Sequence, residues 1–251
     1  MKRGRGRKLI TYAAVAVFWL ALWQIAAMAA GSELLLPSPV STAKTLWELM
    51  KTGRFWLSLG STLLRVAAGF TLGVIAGTLL GAVTASVPFA DALLSPLRSI
   101  IKATPVTSFI VLLLLYVSPV RTPVAVSLLM VTPIAWANVS KGVTGTDPQL
   151  LEMAKVFRFS RMRTLKSVYV PSVLPHFLAA VSTGFGFAWK SCVAAEVIAL
   201  SRNSIGKALY ESKLYLETAE LFAWTAAIIL ISMALEALLV RGIGRLANDK
   251  R

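Results

Sequence analysis

The chain is poor in the residues on which most site chemistry depends. It has one cysteine, Cys192, and one histidine, His176. A lone cysteine excludes an intrachain disulfide, and a lone histidine argues against a histidine-based metal site. Only 15% of its 251 residues are charged, whereas soluble domains carry about a quarter. Acidic residues are scarcer still, 11 against 26 Lys and Arg. No G-x-x-x-x-G-K-[ST] run exists to cradle nucleotide phosphates. HExxH and paired-aspartate protease signatures are absent too, and no histidine base stands near the serines and threonines. The chain is therefore not expected to be an enzyme, to hold a metal or to carry a cofactor of its own. No stretch reads as a separate soluble domain.

What the chain has in abundance is apolar length: 57% of residues are hydrophobic and the mean hydropathy is +0.72. A run of about 20 apolar residues crosses a bilayer as a helix. Six such runs occur, at roughly 9–30, 59–86, 92–117, 122–144, 169–199 and 219–241. The expected fold is all-α, a polytopic membrane protein of about six transmembrane helices. Ala27-Met28-Ala29 resembles a signal cleavage site, yet the apolar run before it exceeds a signal core, so a retained helix is expected.

The net charge of +15 could suggest nucleic acid, but its placement follows membrane topology. Lys2, Arg3, Arg5, Arg7 and Lys8 precede the first run; Lys141, at the end of the fourth, is followed by Lys155, Arg158, Arg161, Arg163 and Lys166 before the fifth; Arg241 closes the last run, followed by Arg245, Lys250 and Arg251. Basic segments of this kind mark the cytoplasmic side. Both termini and the 141–166 loop are then expected in the cytoplasm of a multi-pass protein of the inner membrane. Outside lie 31–58, 118–121 and 200–218, where Ser41 to Met50 reads as an amphipathic helix resting on the membrane surface.

Gly69, Gly73, Gly77 and Gly81 recur every fourth residue in the second run. On a helix they form one stripe that admits a neighbouring backbone, so they are expected to pack helices within the subunit in preference to joining two subunits. Pro96, Pro105 and Pro133 are expected to kink spans three and four.

The loop is the most informative segment. Asp147 can cap a helix opening at Pro148, with Leu150, Leu151, Ala154 and Phe157 on one face. Ser160 can cap a second short helix presenting Met162, Leu165 and Tyr169, and Pro171 and Pro175 mark the return to the membrane. Two amphipathic helices need an apolar surface to cover: lipid, their own bundle or a partner.

Glu152 and Ala154 after Asp147-Pro148, with Leu174-Pro175 closing the segment, resemble the EAA loop of ABC importer permeases. Ala188-Trp189-Lys190 and Ala194-Ala195-Glu196-Val197-Ile198 resemble the fifth helix of the nitrate/sulfonate/taurine-type permeases, and the resemblance extends over about residues 58–240. It implies a division into an N-terminal tail, first helix and outer segment (1–57), an ABC importer transmembrane domain of type I fold (58–241, coupling loop 146–170) and a basic tail (242–251). It also implies partners: a separate ATPase subunit that binds ATP and Mg, an extracytoplasmic solute-binding protein, and a second copy of the chain, with membrane lipid around them. By that resemblance Glu152, Ala154, Phe157, Arg158, Met162 and Leu165 would form the docking surface. Two departures stand out. Met153 replaces the motif's second alanine, and Arg158 occupies its glycine position. Arginine would either adopt the left-handed turn at a cost of roughly 1 kcal/mol or require a different turn.

Charges inside membrane spans are costly and face a cavity or a partner. Arg98, Lys102 and Lys190, with Thr104, Ser108, Ser191 and Glu196, could line a mildly cationic path suited to a small anion. A structural pair of Glu196 with Lys190 or Lys102 would account for the same residues, and snorkelling to the membrane boundary would account for Arg98. Two other classes compete with the permease reading: a secondary transporter or channel acting alone, which would normally show internal repeats, and a membrane scaffold. No repeat is visible between the halves.

Overall fold

The computed structural model describes the backbone of residues 3–248 and the side chains of residues 11–242. All regular structure in the described residues is helical. The helices are α1 (Arg3–Ala30), α2 (Pro39–Met50), α3 (Gly53–Ser86), α4 (Pro88–Ala103), α5 (Val106–Leu114), α6 (Thr122–Thr144), α7 (Pro148–Val156), α8 (Arg161–Thr164), α9 (Val170–Ala199), α10 (Ile205–Leu214) and α11 (Thr218–Asn248), with a π-helical turn, Leu165–Tyr169, joining α8 to α9.

The glycine stripe sets the centre of the fold. Gly69, Gly73, Gly77 and Gly81 are all buried, and a Cβ at Gly69 would lie 2.6 Å from Cβ of Ser127, one at Gly73 2.7 Å from Cβ of Val131 and one at Gly81 2.7 Å from the Trp136 carbonyl. Only glycine allows backbones this close, so α3 and α6 are locked together within one subunit. The pairing order also fixes direction. Residue numbers rise together along both helices, so α3 and α6 are parallel. By the same argument α9 is antiparallel to α6: the Ser127 hydroxyl donates to the Ala188 carbonyl, whereas Gly142 lies against Val173 and His176.

Parallel packing requires the chain to return across the bilayer between α3 and α6. That crossing was expected as one kinked span at 92–117. It is instead two helices, α4 and α5, meeting at 102°. Proline drives the preceding residue out of helical geometry, and Thr104 before Pro105 has ψ of 127°. Pro96 and Pro133 stay inside their helices. Five helices are long and apolar enough to cross a membrane and the bent pair makes a sixth, in agreement with the six runs.

Trp23, late in α1, donates its indole N–H to the Pro37 carbonyl and packs on Phe222, early in α11. Alternating directions therefore place the start of α1, the end of α11 and α7 on one side, with α2 and α10 on the other. The 242–251 tail continues α11 as far as Asn248, and residues 249–251 lie outside the described residues. The helix expected at 41–50 begins at Pro39, capped by Ser38. Its apolar stripe, Leu46, Leu49 and Met50, packs on the protein's own core around Phe55 and Trp224. It therefore does not rest on lipid through that face.

Candidate functional site

The loop between α6 and α9 is built by its caps. The Asp147 carboxylate accepts from the Gln149 N–H at 2.8 Å, and Pro148 opens α7 where a missing donor costs nothing. The helix closes in a Schellman arrangement: the Phe159 N–H reaches the Ala154 carbonyl at 2.9 Å and the Arg158 N–H reaches that of Lys155 at 3.0 Å. Arg158 sits in the left-handed region, with φ of 51°. The arginine thus takes the conformation usually given to glycine, at a cost near 1 kcal/mol. Its neighbours brace the turn, since the Arg163 guanidinium lies 4.1 Å from the Phe159 ring centre.

The second helix is not a free element. The Ser160 hydroxyl caps α8 by accepting from the Arg163 N–H, and α8 runs through the π-helical turn straight into α9. The Val170 N–H bonds the Leu165 carbonyl, five residues back. Arg161 to Ala199 is therefore one 39-residue rod, and the loop carries one separate helix where two were expected.

Of the residues expected to dock a partner, Glu152, Phe157, Arg158 and Met162 are exposed. Leu165 is exposed as well, but it lines a groove beside α3. Ala154 is 3% exposed and has no surface to offer, so its place in a docking face is corrected. Its contribution is the small volume and the carbonyl that the turn uses. Val156 and Phe157 are 78% and 68% exposed. Val156 went unnoticed in the sequence because it precedes the turn and falls off the face shared by Leu150, Leu151 and Ala154. Met153 and Met162 are exposed as well, on the same loop as the exposed cations Lys155, Arg158, Arg161 and Arg163.

The expected pathway residues divide. Lys190, Lys102 and Ser108 are exposed on the flank of the spanning helices, and Thr104 is half-buried. Lys190 lies nine residues from the end of α9, about 14 Å along the helix. Arg98 is held 3.6 Å from Asp91 and stands over the Trp136 ring. Ser191 is buried and its hydroxyl donates to Ala188 of its own helix; the structure turns it away from the flank bearing Lys190.

Glu196 pairs with neither lysine. Its carboxylate is fully buried, 2.8 Å from the Arg65 guanidinium. It also accepts from the Thr62 hydroxyl at 2.9 and 3.0 Å and from the Gly206 N–H at 3.3 Å. Arg65 in turn donates to the Arg202 carbonyl at 2.7 Å. Thr62 accepts from the Ile205 N–H, and the Ser201 hydroxyl donates to the Pro119 carbonyl at 2.6 Å. One carboxylate thus ties α3, α9 and the first turn of α10 together. Gly206 is required there because a Cβ would strike that of Glu196. Arg65 was missed although the signal was available: it is the single charge inside the 59–86 run, and an intramembrane charge implies a partner.

Residues 69–250 match the family described as binding-protein-dependent transport system inner membrane component. Among curated proteins, the chain is 27% identical over 207 residues to a putative aliphatic sulfonates transport permease protein SsuC of Bacillus subtilis, covering 81% of this chain and 74% of that one. It is 25% identical over 229 residues to the taurine transport system permease protein TauC of Escherichia coli, covering 88% and 82%. It is 26% identical to a bicarbonate transport system permease protein CmpB of Synechocystis over 77% and 73%. Among solved structures, an amino acid ABC transporter superposes with a TM-score of 0.59 at 16% identity, covering 77% of this chain and 94% of that one. The inward-facing MetNI methionine ABC transporter gives 0.57 at 17% identity, covering 77% and 93%. These two likenesses concern the fold.

Proposed function

The chain belongs to the family of binding-protein-dependent transport system inner-membrane components, the permease subunits of ABC importers, and from that premise we propose how its parts divide the work. Its α7 side faces the cytoplasm, as the cations of 141–166 and of both termini favour. There the exposed patch of Met153, Val156, Phe157 and Met162, with Glu152 and Arg158 beside it, docks a separate ATPase subunit that binds ATP and Mg. The opposite side receives a solute-binding protein.

The observation that carries this reading is the continuity of the loop with a membrane rod: α7 and its turn are followed by an unbroken 39-residue helix. A push on the loop is carried along continuous helix, through the π-helical turn Leu165–Tyr169, into the bilayer interior.

A second copy of the chain completes the pathway. Lys190 and Lys102 are charged groups exposed on membrane-embedded flanks, and lipid cannot solvate them. Two copies facing each other across water would shelter both lysines and form a cationic passage. A small anion of the sulfonate or bicarbonate kind is the solute that such a passage suits.

Co-purification with the ATPase subunit tests the docking. Val156→Asp and Phe157→Asp together abolish equimolar capture; retained capture would overturn the assignment. Uptake of a labelled sulfonate into proteoliposomes tests the path. Losing one charge-assisted contact costs about 1.5–3 kcal/mol, so Lys190→Ala raises the KM at least tenfold. An unchanged KM would refute the role of Lys190.

A further inference from the structure

We propose that the groove between α3, α6 and the start of α9 binds an anionic phospholipid of the leaflet on the α7 side. The groove has a volume of about 400 Å³ and its walls are mostly apolar, among them Ala82, Val139, Val143, Val170, Val173 and Phe177, with the hydroxyls of Thr78, Ser86 and Tyr169 among its lining residues. It forms because α3 and α9, in contact near Phe70 and Phe185, diverge towards the loop and leave α6 as a floor.

Length and charge identify the occupant. From Thr78 to Ser86 the α3 wall is eight residues, about 12 Å of helix rise. One leaflet of the hydrocarbon core is about 15 Å deep. The groove therefore accommodates one acyl chain entering from the loop end. At that end the α9 wall continues through the π-helical turn. Residues 166, 170, 173 and 177 follow one helical stripe, so Lys166 crowns the wall, with Arg163 one turn further out. Both are exposed; the Arg163 guanidinium lies over the Phe159 ring and keeps its N–H groups, and no ion pair joins either side chain to an acidic residue among the described residues. An apolar slot of leaflet depth under two cations is the complement of a lipid with an anionic headgroup.

Other occupants fit less well. A second copy seated here through a symmetric contact would bring Lys166 and Arg163 against the same cations. A water-soluble partner cannot reach the floor, which lies at membrane depth.

Native mass spectrometry of the chain released from nanodiscs of equal phosphatidylglycerol and phosphatidylcholine tests the site. Wild-type protein retains phosphatidylglycerol selectively. Each surface cation contributes about fivefold to binding of an anionic lipid, so the Arg163→Ala/Lys166→Ala variant weakens retention roughly 25-fold. Ala82→Phe, which fills the slot, lowers it comparably, while Val83→Phe on the adjacent exposed face leaves it unchanged. The double-alanine variant alters exposed residues only and remains informative if Ala82→Phe fails to fold. Equal retention of both lipids, or retention unaffected by the double variant, would overturn the proposal. So would an inter-copy disulfide formed by Ala82→Cys, which would show a second subunit in the groove.

Discussion

Removing Arg65 is expected to be among the most damaging single truncations in the protein. The Glu196 carboxylate has no exposure to water, and its charge is balanced by one guanidinium 2.8 Å away. In Arg65→Ala the carboxylate keeps the Thr62 hydroxyl and the Gly206 N–H but loses its only counter-charge, and the Arg202 carbonyl loses its donor. Breaking one side of a buried pair costs about 3–5 kcal/mol. For a chain of this size each kcal/mol moves the midpoint by about 2–4 °C, so the thermal midpoint in detergent falls by about 6–20 °C. Thermal unfolding followed by size-exclusion recovery at a fixed heating rate measures it. Glu196→Gln is milder: the amide can keep the Arg65 contact, but its NH2 cannot accept from Gly206, and one unpaired backbone donor costs about 1–3 kcal/mol. The decisive comparison is the double variant Arg65→Leu/Glu196→Leu. With both charges gone, the neutral partners, Thr62, Gly206 and the Arg202 carbonyl, lose their bonds but no charge is left buried, so its midpoint lies at or above that of Arg65→Ala. Two strictly additive losses, or a drop under 2 °C for Arg65→Ala, would refute the view that this pair is the clasp of α3, α9 and α10.

Three further outcomes follow from single contacts. Gly77→Ala drives a methyl into the Thr132 carbonyl and the Ala135 side chain, an overpacking of about 1–3 kcal/mol, whereas Gly60→Ala meets nothing and leaves the midpoint unchanged; equal effects would dissolve the stripe argument. Arg158→Gly relieves a left-handed arginine and retains ATPase capture, while Arg158→Pro, whose φ is fixed near −65° and which lacks the N–H bonded to Lys155, loses it. Capture by the proline variant would show that the turn is not needed for docking. Asp147→Ala removes the cap of α7 at about 1 kcal/mol and reduces the loop's protection from proteolysis; unchanged cleavage kinetics would count against the cap.

The two parts of the structure differed in how far the sequence disclosed them. Apolar length, basic flanks and the glycine period are properties of contiguous residues, and they made the six crossings and the α3 stripe legible. The Asp147 and Ser160 caps were legible for the same reason, since a cap reads two or three residues ahead. Contacts between distant residues were not. Arg65 and Glu196 are 131 positions apart, and nothing local distinguishes Arg65 as the partner from Lys102 or Lys190. The depth of the Pro105 break was hidden as well: Pro96, Pro105 and Pro133 are alike in sequence, and only the extended Thr104 shows which one divides its helix. Ala154 was misplaced because an amphipathic stripe shows which face is apolar and leaves open whether the chain itself covers that face.

The clasp and the rod together constrain how a movement at the loop could reach Lys190. From Arg161 to Lys190 is 29 residues, about 44 Å of helix, and six residues beyond Lys190 the rod is fastened to α3 through Glu196. The same α3 is fused to α6 along four glycines. The far end of α9 therefore cannot slide independently of α3 and α6 without exposing a buried charge, a step costing several kcal/mol. The near end is looser, since α3 and α9 part there around the groove and the rod carries its irregular π-helical turn. A load applied through α7 is thus borne either by the whole subunit moving as one body or by bending at Leu165–Tyr169. Deleting Ser167 separates the two. It would restore α-helical spacing and remove the compliant turn. If the subunit moves as a body, hydrolysis and uptake both survive, because removing the extra residue of a π-turn leaves the flanking helix nearly in phase and α7 keeps its orientation. If the turn is the hinge, hydrolysis persists while uptake is lost. Full activity of the deletion would exclude the hinge.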